Sequence, residues 1–178
     1  MNKDKTIDNQ KSLIVVMGVS GSGKSHIASK LSNALAFDFI EADDFHSDES
    51  KKSMAANIGL TDNVRQFWVD ALSHHLKNKS DKNIVLAFSG LKYKHRQALR
   101  SLMFNIKFIW LDGDPEIIKA RLNKRRNHFV SSDFLVGQLK AMEAARNNEH
   151  DICKIDLENE VEEVFSHCLQ AINESLTM

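Results

Sequence analysis

Gly18-Val19-Ser20-Gly21-Ser22-Gly23-Lys24-Ser25 decides the fold of this chain. The spacing is G-x-x-x-x-G-K-[ST]. An apolar run, Leu13-Ile14-Val15-Val16-Met17, comes before it, and apolar residues at helical spacing follow it, from Ile27 and Ala28 to Leu31, Ala34 and Leu35. A strand, a glycine-rich turn and a helix in that order form a phosphate-binding loop. Its glycines let the backbone turn tightly and offer successive N–H groups to an anion. The helix adds its positive N-terminal end. Gly18, Ser20, Gly21, Ser22, Gly23, Lys24 and Ser25 are therefore the expected nucleotide-binding residues. Lys24 is expected on the β- and γ-phosphates and the Ser25 hydroxyl on Mg2+.

Working outward, strands alternate with helices. Phe37 to Glu41, Ile84 to Ser89, Ile106 to Leu111 and Ile152 to Leu157 read as further strands. Between them lie helical stretches: Ser47 to Ala56, Thr61 to about Leu76, Lys92 to Leu102, Asp114 to about Arg126, Ser131 or Ser132 to about Arg146, and Glu160 to Leu176. Val64, Phe67, Trp68, Ala71, Leu72 and His75 are expected on one apolar face. Asp114-Pro115-Glu116 supplies a cap, a first-turn proline and an acid. The alternation predicts a three-layer α/β/α fold of the P-loop NTPase type, with a mostly parallel five-stranded sheet. Residues 12–178 form one domain behind a polar, disordered tail at 1–11.

The 178 residues are 42% hydrophobic and 27% charged, which is globular rather than disordered composition. A formal net charge of +0 gives no global field for nucleic acid or an anionic membrane. No run approaches membrane-spanning length, and Cys153 and Cys168 form no C-x-x-C pair, so a reduced, cytoplasmic protein is expected. Asn78-Lys79-Ser80-Asp81 matches the guanine-reading N-K-x-D but precedes a strand, so it reads as a turn. His74 and His75 are adjacent and cannot form an i, i+4 metal pair.

Phosphoryl transfer also needs a base near the acceptor hydroxyl and cations for the transferring charge. Asp43-Asp44-Phe45-His46 follows the second strand, on the edge where open α/β sheets bind ligands. Asp43 is the expected base, or a metal ligand through water, with Asp44 as competitor. Arg125 is the expected catalytic cation, ahead of Arg121, with Arg126 on the surface.

Taken together the motifs resemble the gluconate kinases of the P-loop type, nucleoside monophosphate kinase-like. Met17-Gly18 to Ser25 looks like that family's loop, and Asp43 to His46 like its acidic segment. Leu60-Thr61-Asp62, Arg65 and Trp68 resemble L-[TN]-D-x-x-R-x-x-W. Ser89, Leu91-Lys92 and Arg96 resemble S-A-L-K-x-x-Y-R. Leu111-Asp112-Gly113, Arg121-Leu122, Arg125 and His128-Phe129 resemble L-x-G and R-L-x-x-R-x-G-H-F. The likeness spans about Leu13 to Asp156. It implies phosphorylation of D-gluconate by ATP with Mg2+, on a sugar-acid site of Asp43, His46, Arg65, Lys92, Arg96 and His128. A mobile lid over about 121–146 would carry Arg121 on the nucleotide, with Arg125 and His128. The resemblance is compatible with a homodimer; the sequence marks no interface. Departures are Gly90 for alanine, His95 for the tyrosine, Asn127 for the lid glycine, and Met142-Glu143-Ala144-Ala145-Arg146 for L-E-P. Two other functions compete. One is a shikimate- or nucleotide-type kinase. The other is a nucleotide-binding regulator without transfer activity.

Overall fold

β1 (Ser12–Met17) is buried along nearly its whole length because both of its faces are covered. The computed structural model describes residues 10–56, 58–124 and 132–176. The other strands are β2 (Asp38–Glu41), β3 (Ile84–Phe88), β4 (Asn105–Asp112) and β5 (Ile152–Asp156). All pair in parallel, in the order β2-β3-β1-β4-β5. The helices are α1 (Lys24–Leu35), α2 (Asp48–Ala55), α3 (Asp62–Lys77), α4 (Tyr93–Arg100), α5 (Pro115–Lys124), α6 (Ser132–Ala141) and α7 (Val161–Leu176).

Alternation along the strands divides the core in two. Ile14, Val16, Val85, Ala87, Ile109 and Leu111 face α1, α5 and α7. Leu13, Val15, Leu86, Phe88, Phe108 and Trp110 face α3 and α4. The expected three layers are present. Asn78 to Asp81 is the expected turn between α3 and β3. Cys153 and Cys168 are free, and no helix among the described residues is long and apolar enough to cross a membrane.

β3 neighbours β1, and β2 is an edge strand. Two expectations need correction. The helix expected to run to Arg146 ends at Ala141. Its continuation is captured elsewhere: the Glu143 N–H donates to the Leu91 carbonyl at 2.7 Å, and Arg96 takes the Glu143 and Ala144 carbonyls. On α3 the buried side chains are Trp68, Val69, Leu72 and Leu76, whereas Phe67 is 77% exposed. At 100° per residue Phe67 falls nearly opposite the centre of that buried stripe.

Candidate active site

Chain segments leaving the carboxyl ends of β1, β2 and β3 enclose a cavity of about 490 Å³. This is where an open α/β sheet places ligands. Its phosphate half is built by the loop after β1. Gly21 and Gly23 sit at φ +85° and +90°, in the left-handed region, and Gly23 caps α1. A Cβ on Gly21 would stand 2.5 Å from Leu122 Cγ, so α5 packs against the loop only where there is no side chain. Over Gly23 there is open space, above the first amides of α1, which have no partner within their own helix. The Ser22 hydroxyl beside it is buried without a partner. Lys24 Nζ folds over the loop to the Val19 carbonyl at 3.1 Å, and the Ser20 N–H donates to Gln138 Oε1 on α6 at 2.6 Å.

Glu41, the last residue of β2, completes this half. Burial raises its pKa. The Ser25 hydroxyl hydrogen-bonds its carboxylate, and nearby Lys24 opposes the rise. The open cradle and orphan hydroxyl fit a nucleoside triphosphate. Among the described residues no three His, Cys, Asp or Glu side chains gather as a metal cage. The Ser25–Glu41 pair beside the cradle fits Mg2+, which is held through few protein ligands together with phosphates and water.

The acceptor half is held by α3, α4 and the turn after β2. That turn is pinned by Trp68, whose Nε1–H donates to the Ala42 carbonyl at 2.6 Å. His46 stacks on Trp68 with centroids 4.3 Å apart and planes 15° apart, and its Nε2 lies 3.7 Å from Asp43 Oδ1. Burial lowers the His46 pKa, with Asp43 opposing. Asp43, His46, Arg65, Lys92 and His95 all border the cavity, and so do Lys24 and Ser25. Asp44 does not border it; its carbonyl accepts from Lys51 Nζ. Of the two candidate carboxylates, Asp43 is the one that borders the cavity.

Arg96 is not a sugar-acid ligand in this structure. It is fully buried, and each of its five N–H donors is taken: by Glu149 twice and by the Gly90, Glu143 and Ala144 carbonyls. Arg121 lies outside the cavity lining and donates to the Leu157 and Asn159 carbonyls at 2.6 and 3.4 Å. It holds the loop after β5. Gly18 donates its N–H to the Ser89 carbonyl at 3.3 Å, which ties the phosphate loop to the end of β3. Arg125, Arg126, Asn127 and His128 lie outside the described residues.

Sequence reading did not single out Glu41, Gln138 or His95 as site residues. An acid at the last position of a strand feeding this edge was a usable signal for Glu41. His95, three residues after Lys92 on one helix face, was another. Gln138 meets Ser20 across 118 positions, and no spacing announces it.

Three comparisons bear on the site. The model of the family described as shikimate kinase matches residues 20–173. The thermosensitive gluconokinase of Escherichia coli (strain K12) is 37% identical over 161 residues, covering 89% of this chain and 86% of that protein. A sugar kinase from Janibacter sp. HTCC2649 superposes with a TM-score of 0.86 at 34% identity, covering 92% of this chain and 95% of that one. A gluconokinase from Sinorhizobium meliloti 1021 gives 0.83 at 32% identity, covering 92% of each.

Proposed function

The chain belongs to the shikimate kinase family, and on that premise we propose that it phosphorylates D-gluconate at its terminal hydroxyl. It is a kinase with an alcohol acceptor, like its gluconokinase relatives. One observation carries the choice of acceptor. The phosphate loop's Lys24 and Ser25 share a single cavity with a carboxylate, Asp43, and with the cations Arg65 and Lys92. A sugar acid needs such a set: a base for its reacting hydroxyl and forked or point cations for its carboxylate.

In this reading Arg65 and Lys92 hold the gluconate carboxylate, and the His46–Trp68 stack lines the path of its carbon chain. Asp43 accepts the proton of the terminal hydroxyl as that oxygen bonds to the γ-phosphorus of ATP. The bond from the γ-phosphorus to the bridging oxygen breaks, and ADP leaves. Lys24 and the α1 N-terminus stabilise the charge spread over the transferring oxygens. Ser25 and Glu41 are the residues that would hold Mg2+, and the ion would supply charge neutralisation at the phosphates.

The test is ADP release by the purified protein with Mg-ATP and D-gluconate, against shikimate, nucleoside monophosphates and no acceptor. Gluconate-dependent release, abolished in Lys24→Ala without loss of the fold, is the expected result. Faster turnover of shikimate or a nucleotide, or ATP binding with no transfer to any acceptor, overturns the reading.

A further inference from the structure

His95 is a buried polar group for which the mechanism above has no use. It lies on the first turn of α4, borders the cavity and is only 2% exposed. Its Nε2 is shut off from solvent and has no hydrogen-bond partner. Such an atom costs stability, and an apolar ring of the same shape in its place would relieve that cost. Resting on the gluconate reading, we propose that His95 determines acceptor specificity by hydrogen-bonding a non-reacting hydroxyl of the substrate.

The chemistry of its neighbours supports this. The groups closest to it in charge interaction are Lys94, Arg65, Asp62 and Lys92, which belong to the acceptor half and not to the phosphate loop. Arg65 and Lys92 only donate hydrogen bonds, and an ionised Asp43 only accepts them. Asp62 is already paired with Arg65 at 3.3 Å. A polyhydroxy acid brings hydroxyls that each donate as well as accept. Once Asp43 is engaged by the reacting hydroxyl, the remaining hydroxyl hydrogens need another acceptor. A neutral imidazole offers one donor and one acceptor. Burial, reinforced by Lys94 and Arg65, holds the His95 pKa down at about 4, so the ring is uncharged at neutral pH. His95 thus adds a donor and an acceptor to a wall that also carries His46 and the cations Arg65 and Lys92.

The experiment compares wild type, His95→Phe and His95→Gln on a panel of hydroxylated acids and on mono-deoxy derivatives of whichever acid turns over fastest. For His95→Phe we expect the acceptor KM to rise about tenfold with little change in the KM for ATP, as for the loss of one hydrogen bond. The preference of wild type for the parent acid over one deoxy derivative should collapse towards unity in His95→Phe and return in part in His95→Gln. The melting temperature of His95→Phe should equal or exceed that of wild type. A packing role would lower it instead and leave the parent-to-deoxy ratio intact, and an intact ratio in both variants overturns the proposal. If a hydroxylated acid other than gluconate is fastest, the gluconate reading falls and His95 is judged on that acid's derivatives. Turnover of no hydroxylated acid sinks both.

Discussion

Arg96 and Glu149 form a closed pair inside the protein. Nε donates to Oε1 at 2.8 Å and Nη2 to Oε2 at 2.7 Å, and neither side chain reaches water. Arg100 adds a third bond to Glu149 and a fork to Asp151. The network fastens α4 to the segment between α6 and β5. Through the Gly90 carbonyl, Arg96 also fixes the loop that carries Lys92. Breaking a buried pair from one side leaves an uncompensated charge, so Glu149→Gln should cost about 3–5 kcal/mol of stability. Urea unfolding at pH 7 measures it. A loss below about 1 kcal/mol would mean that the pair contributes little beyond packing.

The same pair sets a pH dependence. Burial raises the Glu149 pKa, but the bonds from Arg96, the Arg146 N–H and Arg100 outweigh it and hold the carboxyl at about 2, below the ordinary 4.5. A depressed carboxylate contributes stability that is fully present above the unfolded value and is lost as pH falls through the folded one. The stability difference between wild type and Glu149→Gln should therefore be constant above pH 4.5 and shrink between 4.5 and 2. Unfolding curves across that range decide it, and a difference independent of pH would contradict the pairing.

Gly21 and Leu122 make a second coupled pair. A Cβ at Gly21 meets Leu122 Cγ at 2.5 Å and also forces a side chain into φ +85°. Gly21→Ala should lower stability and ATP affinity together. Leu122→Ala in the same chain should remove the clash and leave the backbone term, roughly 1–2 kcal/mol. A double-mutant cycle with zero coupling would show that the two positions act independently.

Glu41 and Asp43 stand two residues apart with separate expected roles. Asp43→Asn should cut kcat by about 100-fold or more, as for loss of a general base, with the Mg2+ requirement unchanged. Glu41→Gln should raise the Mg2+ concentration for half-maximal rate while the KM for gluconate stays put. Magnesium titrations of both variants read the split. Reversed effects would exchange the two assignments.

Much of the architecture was legible because its determinants are local. The glycine-rich loop, the β-branched run before it and the Asp114-Pro115 start each act within a few residues, so their reading survived in β1, α1 and α5. Thr61 begins its helix where the sequence places it, its side chain accepting from the Val64 N–H. Phe67 misled, because period alone marks an apolar stripe and leaves open which flank of a broad one is covered.

The sequence by itself determined the nucleotide loop, the alternation of strands and helices, and the residue types able to hold a sugar acid. Only the tertiary structure decided which of those residues meet. It turned Arg96 inward to Glu149, 53 positions away, and Arg121 to the carbonyls after β5. It brought Glu41 to Ser25, and left the His95 nitrogen unpaired at the cavity wall. An arginine reads the same in sequence whether it faces a substrate or a buried carboxylate. Its partner is fixed by chain crossings between distant segments, and hydrogen-bond geometry then allows each donor one destination.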